Sequence, residues 1–273
     1  MSVGSTLFKL LAFFRRDLSI ARSYRAAFLL EIFDALFVVA SFYYLSRFVE
    51  SPQLSGSLPA GANYFSFALI GIAFLDYLNV SLSAFDSSLE EARQNKTLEG
   101  LLVTQTPLPV ILAGSAVYPF ALMALRTLIY LGWGIALFHF HSQSVNWAGA
   151  VAVMIASILA FAGMGILSAT YVLIFKRGNP VKWLVLGISG LLCGTMYPVT
   201  VLPHSLQIVA RLIPFTYSLQ GLRASILAGA TFRQLLPSLA ALLIFAAILL
   251  PLSFMVFAWA LRRTKVTGTL THL

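Results

Sequence analysis

Asp86-Ser-Ser-Leu-Glu-Glu-Ala-Arg-Gln-Asn-Lys-Thr-Leu-Glu-Gly-Leu-Leu-Val-Thr-Gln-Thr-Pro107 is a polar island in a sequence that is otherwise mostly hydrocarbon. A long apolar run precedes it and another follows. The 273-residue chain is 59% hydrophobic and 10% charged, with a mean hydropathy of +0.89. A soluble domain keeps about a quarter of its residues charged. This chain falls far below that, so lipid must be its solvent. Its length supplies about six spans of ~20 residues with short connections. The expectation is an all-α polytopic membrane protein, a single transmembrane domain over residues 1–273.

Working outward from the island, the second span runs Ala62–Phe85 and the third Val110–Phe138. The first covers Ala26–Phe48, with a Pro-, Gly- and Ser-rich loop from Ser51 to Gly61 after it. The fourth, Ala148–Phe175, stops at Lys176-Arg-Gly-Asn-Pro180, because glycine and proline both end helices. The fifth is Val181–Tyr197 and the sixth Leu235–Leu261. The stretch from Val199 to Gln234 carries Pro203 and Pro214 and is too broken for an ordinary span. It reads as two short helices, Pro203–Ile213 and Thr216–Ala228, forming an external re-entrant or interfacial hairpin over 199–234. A folded loop on the membrane surface is the other reading. Before the first span, Leu7, Leu10, Leu11, Phe14 and Leu18 recur at helical spacing, with Lys9, Arg15, Arg16, Asp17 and Arg22 on the remaining surface. Residues 1–25 thus predict an amphipathic helix lying in the headgroup layer.

Basic residues set the orientation. Lys9, Arg15, Arg16, Arg22, Arg25, Arg93, Lys96, Lys176, Arg177, Lys182, Arg262, Arg263 and Lys265 fall on one side of a six-span layout. Arg47, Arg211, Arg223 and Arg233 fall on the other, and Arg126 lies within a span. Both termini and the island are therefore expected in the cytoplasm. The net charge of +9 reports topology rather than nucleic-acid binding. The single cysteine, Cys193, excludes a disulfide within the chain. No short apolar region with a small-residue cleavage site opens the sequence, so an uncleaved protein is expected.

Within the island, Leu89, Leu98, Leu101 and Leu102 can bury against the bundle while Glu90, Glu91, Arg93, Lys96 and Glu99 project into water. A short amphipathic helix of this kind can wedge into a soluble partner and pass on rigid-body motion. Spacing alone also admits a solvated connecting loop.

Several stretches resemble the permeases of type-2 ATP-binding cassette (ABC) exporters. Lys96-Thr-Leu-Glu-Gly-Leu-Leu-Val-Thr-Gln-Thr-Pro107 resembles that family's Gly-Thr-Leu-Glu-x-Leu-Leu-x-Thr-Pro stretch, at the cytoplasmic helix that docks on the ATPase. Gly194-Thr-Met-Tyr-Pro-Val-Thr-Val-Leu-Pro203 and Pro214-Phe-Thr-Tyr-Ser-Leu-Gln-Gly-Leu-Arg223 resemble its fifth span and external hairpin. Lys96 stands where the family usually has glycine, and Gln105 is inserted before Thr106-Pro107. The resemblance implies a coupling segment at 86–107, with Glu90, Glu91, Arg93, Lys96, Thr97, Leu98, Glu99 and Leu102 facing a separate ABC ATPase. It marks Tyr197, Pro198, Pro203, Pro214, Tyr217 and Arg223 as hairpin positions. It implies two copies of this chain with two ATPase subunits in a bacterial inner membrane. ATP and magnesium would be held by the partner, and this chain would carry no cofactor and no catalytic residue of its own.

Four ionisable residues fall inside spans: Glu31, Asp34, Asp76 and Arg126. Each costs about 2.5–3.5 kcal/mol at mid-membrane on insertion scales, so each needs a partner or a watery cavity. Asp76 and Arg126 sit at similar depth and are expected to pair, as a structural lock or as a polar step in a translocation path. Glu31 and Asp34 share a helix face near the cytoplasmic end of the first span. They read as a cargo-facing pair or as acids snorkelling to the interface. Gly187, Gly190 and Gly194 are placed on one face of the fifth span, where small residues let backbones approach. The resemblance puts that face at the seam between two copies; packing within one copy is the competing explanation. Phe33, Phe37, Phe42, Tyr43 and Tyr44 crowd the first span, as packing or as a route for acyl chains. Arg211, Arg223 and Arg233 flank the hairpin and are expected to reach lipid phosphates or an anionic headgroup.

The phosphate-cradling pattern Gly-x-x-x-x-Gly-Lys-Ser/Thr is absent, so energy must come from another polypeptide. His139, His141, His204 and His272 lack metal-ligand spacing. An intramembrane transferase would need an Asp-rich metal repeat or a His-Asp pair at one membrane face, and neither is present. A channel or secondary transporter working without ATP stays open. The expected activity is export of an amphipathic cargo: a glycolipid, a lipid-linked glycan, or a hydrophobic drug or peptide.

Overall fold

A computed structural model of the chain describes residues 8, 11–19, 25–49, 63–94, 108–138, 140, 144–175 and 178–266. Among them the regular structure is helical, apart from one isolated bridge between Ser144 and Ala228. The helices are α1 (Arg25–Val49), α2 (Tyr64–Gln94), α3 (Leu108–Leu137), α4 (Trp147–Phe175) and α5 (Pro180–Leu192). A 3₁₀ turn at Val199–Val201 leads to α6 (His204–Arg211), α7 (Pro214–Leu227) and α8 (Phe232–Val266). Residues 11–19 form a further helical stretch whose Phe13 lies against Gly114 and whose Phe14 ring stands 6.2 Å from that of Tyr118 on α3.

α2 is the axis of the bundle, packed on by α1, α3, α4, α5 and α7. Its Phe74, Tyr77, Leu78 and Leu82 are fully buried. Phe74 stacks on Tyr77 at 5.1 Å and meets Phe161 of α4 at 5.9 Å and Phe215 of α7 at 6.0 Å; Tyr77 meets Phe120 of α3 at 5.9 Å. In lipid, tails are as apolar as leucine, so helix association relies on close packing and small residues. α4 supplies these with buried Gly149, Ala150, Ala156, Ala160, Gly163 and Gly165, and α8 makes its most extensive contact there. α1 packs through a smaller cluster of Ala35 and Val39 with Phe65, Leu69, Ala73 and Tyr130.

Four helices, α2, α3, α4 and α8, are long and apolar enough to cross a membrane among the described residues. α1 has comparable length but carries Glu31 and Asp34. α5 departs from the expected Val181–Tyr197 span: it stops at Leu192 and has 13 residues, about 20 Å of helix. That is short of a ~30 Å hydrocarbon core. Its end is set by Gly194, whose φ of +82° belongs to the left-handed region that glycine enters without penalty. The hairpin helices fall close to their expected positions, but α7 is no surface element. Pro214, Phe215, Ser218, Leu219 and Leu222 are among its buried residues, wedged against α4, α8 and α2.

Candidate functional site

Three polar stations lie along α2. At one end, Ser83, Ser87 and Ser88 donate their hydroxyls to the carbonyls of Asn79, Ser83 and Ala84, at 2.8, 2.7 and 2.8 Å. These local bonds satisfy the side chains within the helix, and α2 runs unbroken from the apolar span into the polar island as far as Gln94. The island therefore begins as the last turns of a spanning helix, which extends the expected second span beyond Phe85 to Gln94; the rest of the island lies outside the described residues. Asp86 Oδ2 accepts from Asn179 Nδ2 at 2.7 Å, and the same nitrogen lies 2.6 Å from Ser168 Oγ of α4. Asn179 Oδ1 accepts from the Lys182 backbone N–H at 2.9 Å, capping α5, with Pro180 in the first turn. One amide side chain thus joins α2, α4 and the start of α5. Glu90 is partly buried; Glu91 and Arg93 belong to α2 but their side chains lie outside the described residues, as do Lys96, Thr97, Leu98, Glu99 and Leu102 entirely.

Midway along α2, Asp76 Oδ2 lies 3.0 Å from Arg126 Nε of α3. The neighbouring nitrogen reaches α1, where Arg126 Nη2 stands 2.6 Å from Asp34 Oδ2. Tyr130, one turn along α3, accepts from Arg126 Nη2 at 3.1 Å and donates to Asp76 Oδ2 at 3.3 Å. The Asp34 side chain is 58% exposed, whereas Asp76 and Arg126 are 22% and 19% exposed. A single cation is thus shared by an enclosed carboxylate and an open one, and the trio carries a formal charge of −1. Sequence reading placed Asp34 with Glu31 and did not find Tyr130. The four-residue spacing of Arg126 and Tyr130 on one helix was the available signal. Glu31, one turn from Asp34, is partly buried.

At the far end of α2, Arg223 of α7 overturns the expectation of a cation reaching lipid phosphates. It is 6% exposed. Its Nε and Nη2 donate to the Phe67 carbonyl at 3.2 and 2.9 Å, Nη2 also to that of Thr195 at 2.7 Å, and Nη1 to that of Gly194 at 2.5 Å. The guanidinium carbon lies 3.4 Å from the centre of the Phe67 ring. Two of these carbonyls follow the C-terminus of α5, where the helix dipole favours a cation. The planar fork of arginine suits three carbonyls at once better than an ammonium would. The fit requires glycine at position 71, since a Cβ there would lie 2.0 Å from Thr195 O and 2.6 Å from Arg223 Nη2.

The other hairpin positions have mainly structural contacts. Tyr197 donates its hydroxyl to the Leu191 carbonyl. Pro198 and Pro203 immediately precede the 3₁₀ turn and α6, Pro214 opens α7 and is buried, and the Tyr217 ring lies 6.0 Å from Phe245 of α8. The three glycines do not form one helical face. Gly187 is open, Gly190 approaches Leu75 at an ordinary 3.6 Å from its hypothetical Cβ, and Gly194 lies beyond the end of α5 in the left-handed turn. Of the aromatics of α1, Phe33, Phe37 and Tyr44 are exposed, while Tyr43 packs on Phe65 and Phe138 at 5.5 and 4.9 Å.

The description "ABC-2 type transporter" belongs to the protein-family model that matches residues 9–227. The inner membrane transport permease YadH of Escherichia coli K12 is 25% identical over 176 residues, covering 60% of this chain and 63% of that protein. The Shigella flexneri protein of the same name matches to the same extent. The chain therefore aligns with somewhat less than two thirds of the length of these curated relatives.

Proposed function

Because the chain belongs to the ABC-2 type transporter family, we propose that it is the membrane-spanning permease subunit of an ABC exporter in a bacterial inner membrane. Two copies work with two ATPase subunits that bind ATP and magnesium, and both termini face the cytoplasm. Six spans make up each copy, with α5 completing its crossing through the turn after Leu192 and the hairpin lying on the outer side. The cargo is amphipathic: a glycolipid, a lipid-linked glycan, or a hydrophobic drug or peptide.

The observation that carries this reading is the continuity of α2. This helix, 31 residues long and therefore about 46 Å, holds the start of the island as far as Gln94, Asp76 and Phe67 on one rod. A push from ATPase closure on the segment 86–107 reaches the Arg126 cluster and the Arg223 grip as a tilt of that rod. Rigid elements with two discrete arrangements are what carry such motion across a membrane domain. Asp34 is the member of the Arg126 cluster that can exchange its partner when α1 and α3 move apart.

Reconstitution with the ATPase in proteoliposomes tests the proposal. The pair Glu91→Arg and Glu99→Arg is expected to abolish ATPase binding and ATP-driven transport while leaving the permease folded. Transport that persists at full rate with both substitutions, or without any nucleotide-hydrolysing partner, overturns it.

A further inference from the structure

α3 and α4 both pack on α2 but scarcely touch each other, and a cavity of about 330 Å³ lies between them. Its floor is Ile70, Ala73 and Phe74 of α2, at most 3% exposed, together with Leu222 of α7. Its mouth is formed by Leu128 on α3 and by Trp147 and Val151 on α4, each 52–55% exposed. The cavity is thus closed on the bundle side and open on the side that meets lipid.

Among the described lining residues Thr127 contributes the one hydroxyl, and it already donates to the Met123 carbonyl at 2.9 Å. A cavity without convergent polar groups stays dry. Its volume falls at the low end of the roughly 300–1,000 Å³ of small-molecule sites. Hydrocarbon is the filler that a lipid-solvated chain has at hand.

The position of the cavity narrows the choice of hydrocarbon. Trp147 opens α4 at the end of the bundle where Asn146 is tied to the hairpin, its backbone N–H donating to Ser225 O at 2.9 Å and its amide to Ala230 O at 2.7 Å. At that end exposed Arg233 opens α8, whose Leu235 lies against Gly149 of α4, and exposed Arg47 closes α1, while Glu50 is the one acid in the sequence that joins α1 to α2. That end of the bundle complements an anionic phosphate. Trp147 at the mouth suits the headgroup boundary, with its ring in hydrocarbon and its N–H toward water.

We propose that the α3–α4 cavity is a binding site for one acyl chain of a phospholipid from the hairpin-side leaflet, with the phosphate drawn toward Arg233 at the start of α8. Ala124 and Leu128, both lining residues, flank Arg126 on α3. The bound chain therefore supports the turn that carries the shared guanidinium. This site belongs to the resting permease and does not depend on the coupling reading or on the nature of the cargo.

The test uses the full chain in nanodiscs of phosphatidylethanolamine and phosphatidylglycerol, doped with phosphatidylglycerol bearing a diazirine at the end of one acyl chain. Photolysis and mass spectrometry then map the adducts. Adducts on Ile70, Ala73 or Phe74 are expected, because bulk lipid cannot reach that floor. Ala124→Phe fills the cavity and is expected to remove them while adducts on exposed Met255 of α8 persist; Ala150→Leu, a smaller change in the opposite wall, serves where the first variant does not fold. Wild-type adducts confined to exposed residues, or floor adducts that survive a folded filling variant, overturn the proposal. A diacylglycerol with the same diazirine tail is expected to label the floor less than the phosphatidylglycerol does. Equal labelling overturns the headgroup part.

Discussion

Arg126 Nη2 stands 2.6 Å from Asp34 Oδ2 while its Nε stands 3.0 Å from Asp76 Oδ2, so one guanidinium on α3 holds α1 and α2 together. The two halves of this bridge are unequal. Asp76 is enclosed and also accepts from Tyr130, whereas Asp34 is more than half exposed. Removing Asp76 strands an enclosed charge, which costs about 3–5 kcal/mol, whereas removing Asp34 leaves the guanidinium paired with its enclosed carboxylate and strands none.

Asp76→Asn is therefore expected to destabilise the bundle by a few kcal/mol more than Asp34→Asn. Unfolding in mixed detergent micelles, with a double-mutant cycle against Arg126→Gln, measures both couplings. Equal couplings would contradict the unequal bridge. In transport assays the order should reverse if Asp34 is the exchanging partner: Asp34→Asn, nearly neutral for folding, is expected to lower the turnover rate.

The Arg223 grip predicts that lysine will not rescue. An ammonium cannot reach the carbonyls of Phe67, Gly194 and Thr195 while stacking on the Phe67 ring. Arg223→Lys and Arg223→Ala are both expected to cost about 3 kcal/mol, through unsatisfied buried carbonyls at roughly 1–3 kcal/mol each. Limited proteolysis near 193–203 should show the hairpin loosening first. A lysine variant as protease-resistant as the parent would refute the grip.

Gly71→Ala and Gly187→Leu form a contrasting pair. The first forces a methyl to within 2.0 Å of Thr195 O and is expected to cost at least about 1–3 kcal/mol as overpacking. The second meets nothing within 4 Å of its Cβ in one copy. It should leave the melting temperature of an isolated copy unchanged and, if α5 lies at the seam between copies, weaken dimers in light scattering. Unaltered dimers would remove Gly187 from the seam.

Asn179→Ala removes both the α5 cap and the Asp86 link. A lost cap costs about 1 kcal/mol, so the protein should still fold. In the proposed complex with an ATPase, transport per ATP hydrolysed is expected to drop more than ATPase binding does, because the joint between α2 and α5 is loosened and the proposed docking segment 86–107 keeps its other residues. A proportional loss of both would place Asn179 in docking instead.

Much of the architecture is a local property and is legible in the sequence. Apolar runs bounded by Gly, Pro and charge mark the helices, because a segment in lipid must satisfy its own backbone and match the hydrocarbon thickness. The break at Pro203 and Pro214, and the stop at Lys176-Arg-Gly-Asn-Pro180, follow from the same short-range rules. Two boundaries escaped: Leu89-Glu-Glu-Ala-Arg-Gln94, all good helix formers, carries α2 on into the island, and a glycine in the left-handed region ends α5 early. Hydropathy marks where a segment leaves lipid, not where its helix stops.

The sequence by itself determined that the chain lives in lipid, is helical, and keeps a polar island between two apolar runs. Only the tertiary structure decided which polar groups meet. Whether Asp34 turns toward Arg126, or Arg223 turns inward to carbonyls instead of outward to phosphates, depends on the rotation of each helix about its axis. Those rotations are set by aromatic and glycine contacts between residues far apart in the chain, such as Gly71 with Thr195 and Phe74 with Phe215. Hydropathy counts how apolar a segment is, but carries no record of the neighbour its polar residues will face.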